Sequence, residues 1–122
     1  MGRILIVDDD DAVREVVLAA LSEGKNLVET ARDGFEAIEL VKKNSYDLVI
    51  LDWNMPRLNG LQVLQLLRGS PATKALKVMM CTSAGMIGEV DKAFEAGATD
   101  YLVKPIDLDR LIKKVAKHLG SA

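Results

Sequence analysis

The sequence predicts a doubly wound α/β fold, in which five parallel strands form one sheet with helices packed on both of its faces. Five short, mostly apolar runs alternate with five longer stretches of helical spacing. Most of the runs are apolar with little interruption, as expected of strands that are covered on both sides. The chain has 122 residues, which is enough for one sizeable hydrophobic core and one domain.

Each strand is predicted from an apolar run that ends at a polar or turn-forming residue. The runs occupy residues 4–7, 27–30, 48–51, 78–81 and 101–103. The helices are predicted from apolar residues that recur at i, i+3, i+4 and i+7. Such residues occur within 13–21, 37–41, 61–67, 90–94 and 108–119. The flavodoxin-like strand order 2-1-3-4-5 suits five such β–α pairs and places the first strand beside the third in a three-layer sandwich.

Composition limits the classes of partner and the compartment. The net charge of −2 argues against a direct nucleic-acid partner, since binding to a phosphate backbone requires clustered Lys and Arg. No apolar stretch approaches the roughly 20 residues that span a bilayer, and no leader resembles a secretion signal, so we expect no membrane partner. A single cysteine, Cys81, cannot form an internal disulfide, which favours a cytoplasmic location.

Acidic residues follow two of the predicted strands. Asp8, Asp9 and Asp10 come directly after the first strand, and Asp52 comes directly after the third. In a doubly wound sheet the carboxyl ends of these two strands lie side by side, at the edge where ligands bind. Carboxylates at close quarters repel one another unless a cation neutralises them, and such hard oxygen ligands suit Mg²⁺, with Mn²⁺ as the alternative. The acids therefore predict a metal site that handles phosphate.

Two more side chains follow strands at the same edge of the sheet. Thr82 comes after the fourth strand and Lys104 after the fifth, so that a hydroxyl and a fixed cation join the acids. A lysine neutralises transferring phosphoryl oxygens, and a hydroxyl can donate a hydrogen bond to them. In such a site Asp52 could be a third metal ligand or the nucleophile that accepts a phosphoryl group.

Each of these residues also has a purely structural interpretation. The acids before the first helix could cap its free N–H groups, and Asp52 could begin a turn. Lys104 could be an exposed charge, and Thr82 could be an ordinary residue at the end of a strand. The coincidence of all four features at one edge favours a functional site over four separate explanations.

Three other features receive structural interpretations only. Cys81 is predicted to be a small buried apolar residue rather than a redox thiol. His118 has no Cys or His near it in the sequence, and we expect it to be exposed, without a metal or catalytic role. Three lysines of the last helix are expected to complement its negative C-terminal end: Lys113, Lys114 and Lys117.

Four segments of the sequence resemble the receiver domains of bacterial two-component response regulators. They are residues 4–10 (ILIVDDD), 51–56 (LDWNMP), 81–83 (CTS) and 101–105 (YLVKP). The resemblance extends over essentially the whole chain, and the order Asp-Asp, Asp, Thr, Lys is highly specific when it is complete. The segment that begins at Leu51 resembles especially that of the single-domain chemotaxis regulators.

The resemblance implies a chemical role for each residue of the site. Asp52 would be the phosphoacceptor and, with Asp9, a ligand of Mg²⁺. Asp8 would bind the metal directly or through water, and Asn54 would offer its backbone carbonyl. Lys104 would pair with the phosphoryl group, and the bond between it and the following proline would be cis, a conformer that proline makes accessible.

The resemblance also implies a switch and its partners. A sensor histidine kinase or a histidine phosphotransfer protein would supply the phosphoryl group. Thr82 would hydrogen-bond a phosphoryl oxygen, and Tyr101 would rotate inward as Thr82 moves. The surface formed by the fourth helix, fifth strand and fifth helix would then bind an unidentified downstream protein or a second copy of the chain, which would otherwise be a monomer.

Two positions would tune the lifetime of the phosphoryl group: Asn54 and Ala84, each two residues beyond a site residue. Ala84 has no polar side chain to orient an attacking water, so we expect slow self-dephosphorylation. Glycines at 85 and 88 are expected to loosen the first turn of the fourth helix.

We expect residues 1–122 to form one receiver domain without an output domain in this chain, either free-standing or cut from a longer protein. It would be a switch that assists its own phosphorylation rather than an enzyme with an external substrate.

Three alternative functions remain open at this point. A haloacid-dehalogenase-type phosphatase would need a further acid where Lys104 lies. A flavodoxin-type module would need a glycine- and hydroxyl-rich loop for the FMN phosphate in place of the acids. A receiver-like interaction domain that is not phosphorylated would usually lack an acid, the Thr or the Lys.

Overall fold

In the computed structural model, which describes residues 2–83 and 88–119, strands and helices alternate along the chain. The strands are β1 (Arg3–Val7), β2 (Leu27–Ala31), β3 (Leu48–Asp52), β4 (Lys77–Ser83) and β5 (Asp100–Lys104). The helices are α1 (Asp11–Ser22), α2 (Gly34–Lys43), α3 (Gly60–Arg68), α4 (Gly88–Glu95) and α5 (Leu108–Leu119). Among the described residues, no helix has both the length and the apolar character that crossing a membrane requires.

All the strand pairs are parallel, and the order in the sheet is β2-β1-β3-β4-β5, which confirms the predicted topology. Val7 of β1 pairs with Leu51 of β3, so Asp8, which follows β1, lies next to Asp52, the last residue of β3. Asp52 pairs with Cys81 of β4. The register therefore brings the polar ends of these strands to one edge.

The core consists of two apolar layers, one on each face of the sheet. Alternate residues of a strand point to opposite faces: Leu5 and Val7 belong to the layer that includes residues of α2, α3 and α4. Ile4 and Ile6 belong to the layer that includes residues of α1 and α5. Cys81 lies in this second layer and is 2% exposed, which confirms that it is a buried residue.

The C-terminal helix makes contacts that differ from those expected. His118 was predicted to be exposed, but its Nε2 lies 2.8 Å from Oδ2 of Asp100 and its side chain is 13% exposed. Lys114 donates to Oδ1 of Asp100 at 2.9 Å and to the Tyr101 carbonyl at 2.7 Å, not to the end of its own helix. The predictions for His118 and Lys114 were wrong because Asp100 starts the edge strand β5, where α5 passes over it, whereas Lys117 does lie in the last turn of α5.

These contacts fix the charge of Asp100. Burial alone would raise the pKa of its carboxyl, but the hydrogen bonds from His118 and Lys114 outweigh burial and lower that pKa to about 2. The carboxylate therefore stays ionised at neutral pH and joins α5 to the edge of the sheet. Lys77 of β4 adds a hydrogen bond to the carbonyl of His118.

Candidate functional site

The site is formed where β1, β3 and β5 end. Nζ of Lys104 lies 2.8 Å from Oδ2 of Asp8 and 3.2 Å from Oδ1 of Asp52. The side chains of Asp8 and Asp52 are 4% and 6% exposed, and that of Lys104 is 26% exposed. One ammonium thus lies between two buried carboxylates that come from different strands, as the predicted topology requires.

The predicted metal ligands are also brought together. One carboxylate oxygen from each of Asp8, Asp9 and Asp52 lies within 4.8 Å of the other two. Asp9 is exposed, so the group opens toward solvent on one side. Three hard oxygen ligands with open positions beside them fit Mg²⁺, which keeps several positions for water or phosphate oxygens. The fourth predicted ligand, Asn54, is exposed, and its N–H lies 3.4 Å from Oδ1 of Asp52; a role for its carbonyl stays a prediction.

Capping of the helix accounts for only one of the consecutive acids. The Asp10 side chain accepts hydrogen bonds from the N–H groups of Ala12 and Val13 at the start of α1. Asp8 has other contacts: its Oδ1 accepts from the Asp10 N–H at 2.9 Å, and its own N–H donates to the Ala31 carbonyl. The structural interpretation therefore explains Asp10 and leaves Asp8 and Asp9 to the site.

Burial and neighbouring charge together set the protonation of Asp52 and Lys104. Burial, and then the neighbouring charge of Asp8, raise the pKa of Asp52 to about 6 in spite of Lys104. Burial alone would lower the pKa of Lys104, but its contacts with Asp8 and Asp52 raise it above the ordinary value. Lys104 is therefore charged at neutral pH, whereas the ionised form of Asp52 is held under repulsion that a second cation would relieve.

The Thr82 hydroxyl, near the end of β4, is buried and has no partner among the described residues. Thr82 is 1% exposed, and its Oγ1 makes no hydrogen bond within the part of the chain that the structure describes. A buried hydroxyl without a partner is unfavourable by about 1–3 kcal/mol, and such groups are rare in folded proteins. An arriving acceptor oxygen would satisfy it.

The predicted switch residue Tyr101 lies between two helices. Its ring meets that of Phe94 in α4 edge-on, with centroids 6.0 Å apart, and the Lys114 ammonium of α5 lies 4.8 Å from its centroid. The peptide bond between Lys104 and Pro105 is cis, as the resemblance implied. Ala84 and residues 85–87 lie outside the described residues, so the predictions about them stay predictions.

Sequence reasoning missed two residues that support the site. Nη1 of Arg14 donates to the Asp8 carbonyl at 2.6 Å, and a signal was available, because Arg14 follows the helix cap by one turn. Gly60 begins α3 so close to the site that a Cβ there would lie 2.3 Å from the Asp52 carbonyl oxygen. Nothing in the sequence signals the close approach.

Comparison with known proteins extends these observations. A model of the response regulator receiver domain family matches residues 4–116. The response regulator MprA of Mycobacterium sp. (strain KMS) is 42% identical over 113 residues, which are 93% of this chain and 48% of that protein. The chain thus spans about half the length of the curated relatives it matches.

Solved structures give the same result along the full fold. A putative response regulator from Chloroflexus aurantiacus is 37% identical, with a TM-score of 0.92 and 98% of each chain covered. The Vibrio cholerae chemotaxis protein CheY4 is 32% identical, with a TM-score of 0.89, covering 96% of this chain and 98% of that one. The family match, the relatives and the shared architecture agree, and this chain belongs to the receiver domains of two-component response regulators.

Proposed function

We propose that Asp52 accepts a phosphoryl group from a phosphohistidine of a sensor histidine kinase or histidine phosphotransfer protein, in a reaction that depends on Mg²⁺. One observation carries the proposal: the buried Asp52 carboxylate lies 3.2 Å from Lys104 and within the cluster that also contains Asp8 and Asp9. The domain would be a switch without an external turnover substrate.

The contacts of the acids support Asp52 as the acceptor. Both oxygens of Asp8 are engaged, Oδ1 by the Asp10 N–H and Oδ2 by Lys104, and Asp9 is exposed. Asp52 is engaged through Oδ1, whereas its Oδ2 has no hydrogen bond or ion pair with any described residue. An oxygen without a donor keeps its lone pairs for attack on phosphorus.

The transfer requires only that charge be balanced around an in-line displacement. A bond forms between a carboxylate oxygen of Asp52 and phosphorus, the N–P bond of the donor breaks, and the released imidazole nitrogen takes up a proton. A bound Mg²⁺, held by Asp8, Asp9, Asp52 and the Asn54 carbonyl, would supply neutralisation of the phosphoryl oxygens. Lys104 would pair with another of those oxygens, and Thr82 would donate its hydroxyl to a third.

The same groups connect the site to a surface. A phosphoryl group adds charge and acceptor oxygens, which favours an arrangement in which Thr82 and Lys104 turn toward it. We expect Tyr101 to move with Thr82. Because its ring lies against Phe94 of α4 and the Lys114 ammonium of α5, that movement would alter both helices. The surface formed by α4, β5 and α5 would bind an unidentified downstream protein or a second copy of the chain.

The test is incubation with acetyl phosphate, with and without Mg²⁺, followed by intact mass. We expect the wild type, but not Asp52→Asn, to gain one phosphoryl group in the presence of Mg²⁺. An unchanged gain in Asp52→Asn would move the acceptor to Asp8 and favour a phosphatase. No gain in a wild type that binds Mg²⁺ would favour a constitutive interaction domain.

The lifetime of the product gives a further measurement. We expect Ala84→Glu, which adds a side chain able to orient water, to shorten the half-life of the phosphorylated protein. An unchanged half-life would remove Ala84 from the explanation of slow dephosphorylation.

A further inference from the structure

Arg14 is a charged side chain beside the site that the reaction proposed above does not use. It lies in the first turns of α1 and reaches back, so that Nη1 donates to the Asp8 carbonyl at 2.6 Å and Nη2 pairs with the Asp11 carboxylate. Its side chain is 16% exposed, whereas that of Asp11 is 86% exposed. The guanidinium is therefore largely buried against the turn that joins β1 to α1.

Arg14 and Lys104 contact the same residue in different ways. Lys104 lies on Oδ2 of Asp8, an oxygen that a metal or a phosphoryl group would compete for. Arg14 binds the main-chain carbonyl of Asp8 and makes no ion pair with Asp8, Asp9 or Asp52 within the described residues. It thus fixes the backbone of the turn while it leaves the carboxylate oxygens free.

The turn needs such a support because it carries three consecutive acids, residues 8–10, and α1 begins with a fourth, Asp11. Their mutual repulsion favours an opened turn in which the carboxylates move apart. The planar guanidinium holds two acceptors in a fixed geometry, which a lysine cannot reproduce. The turn is accordingly closed before any cation binds.

A closed turn matters for the choice of cation. Mg²⁺ requires near-ideal octahedral geometry at about 2.0–2.1 Å, whereas Ca²⁺ accepts roughly 6–8 oxygens at longer and more variable distances. A fixed separation between Asp8 and Asp9 favours the ion with the stricter requirement, and a loosened turn removes that advantage.

We propose that Arg14 is a positioning residue that holds the β1–α1 turn, so that the acidic cluster discriminates Mg²⁺ from Ca²⁺. The inference rests on the proposed function only in that the cluster binds a divalent cation. Two simpler explanations make different predictions. If Arg14 only forms an exposed helical pair with Asp11, its loss leaves metal binding unchanged. If Arg14 only reduces the negative potential, its loss strengthens the binding of both ions equally.

The experiment measures the Kd of Mg²⁺ and of Ca²⁺ by Trp53 fluorescence in the wild type, Arg14→Met, Arg14→Lys and Lys25→Met. Trp53 adjoins Asp52, and Lys25→Met makes the same change of net charge at an exposed residue after α1. We expect Arg14→Met to weaken Mg²⁺ binding about 10-fold and Ca²⁺ binding less than about 2-fold. Arg14→Lys should restore the ratio in part, and Lys25→Met should leave it unchanged.

A second measurement needs no metal. The Asp10 N–H, which donates to Oδ1 of Asp8, should exchange with solvent faster in Arg14→Met, while the Gln62 N–H at the start of α3 should not change. An unchanged ratio of the two Kd values, or stronger binding of both ions, would overturn the inference about Arg14 and leave the proposed function intact. A wild type that binds neither ion would refute the proposed function, and the inference with it.

Discussion

The ionised form of Asp52, which the proposed reaction requires, is unfavourable for folding. Burial and the charge of Asp8 raise its pKa to about 6, so the ionised form that would attack phosphorus is the form that the fold tolerates least. The contribution of Asp52 to stability is therefore complete below its ordinary pKa of 3.8 and is lost as the pH rises through 6.

Removing this charge should stabilise the protein. We expect Asp52→Asn to raise the free energy of unfolding at neutral pH by about 1 kcal/mol, because a buried ionised carboxylate is no longer required. The gain should disappear below about pH 4, where Asp52 is already neutral in both states. Urea unfolding across this pH range measures the effect, with Glu39→Gln, at an exposed position of α2, as the control. An equal gain at both ends of the pH range would contradict the explanation that the ionised Asp52 carboxylate destabilises the fold.

The buried hydroxyl of Thr82 gives a second prediction at the same scale. Thr82→Val should raise the free energy of unfolding by about 1 kcal/mol, since it removes a buried polar group that has no partner in the described part of the chain. Thr99→Val is the matched control, because Oγ1 of Thr99 accepts a hydrogen bond from the Val78 N–H, and it should lower stability by a similar amount. Thr82→Val should also abolish the change that phosphorylation produces in the NMR signals of Tyr101. A loss of stability in Thr82→Val would show that its hydroxyl has a partner.

At the scale of elements, the start of α3 packs so closely against the end of β3 that only glycine fits at position 60. A Cβ at Gly60 would lie 2.3 Å from the Asp52 carbonyl oxygen and 2.9 Å from the Trp53 Cα, which are backbone atoms at the end of β3. We expect Gly60→Ala to lower the free energy of unfolding by about 3 kcal/mol and to reduce phosphorylation by displacing Asp52.

Gly88, the first residue of α4, is the natural control. A Cβ there would meet no atom of the described residues within 4 Å, so Gly88→Ala should stabilise the protein by about 0.5 kcal/mol through the lower entropy of the unfolded chain. Thermal unfolding of both variants compares the two sites. Equal effects would mean that α3 can move away from β3.

Apolar patterning predicts which strands and helices are present, but it does not predict the residues at which they begin and end. All five strands are present, but β4 extends to Lys77 and Ser83, beyond the predicted run 78–81. Polar residues join a strand because their backbone groups pair with neighbouring strands, which side-chain patterning does not reveal. The helical stripes are likewise broader than the buried faces, since Val16 and Ile112 are 50% and 43% exposed.

Some residues of the site could likewise be predicted from the sequence, and others could not. The acids, Thr82 and Lys104 could be predicted because each directly follows an apolar run, and the topology then places the ends of the runs together. The contacts of Arg14 and His118 depend on how helices pass over the turn after β1 and over the edge strand β5. The contact of His118 has no signature in the local pattern, whereas the place of Arg14 one turn after the helix cap is a local signal of its contact.

At the scale of the whole molecule, cation binding should appear as stability. With a Kd near 1 mM, about 10 mM Mg²⁺ should raise the free energy of unfolding by about 1.4 kcal/mol. Asp9→Asn should abolish this increase with little effect on the metal-free protein, because Asp9 is exposed. Potassium chloride at matched ionic strength separates specific binding from screening. An increase of the same size in Asp9→Asn would place the cation elsewhere.

The position of Lys104 has one more consequence. A single ammonium lies 2.8 Å from Asp8 and 3.2 Å from Asp52, and its one positive charge cannot also neutralise a phosphoryl group. Phosphorylation would add negative charge beside the same lysine, so the charge of Asp8 would require another counter-ion. The domain would thus respond to a conjunction of two inputs, a cation and a phosphoryl donor, and neither input alone would complete the change.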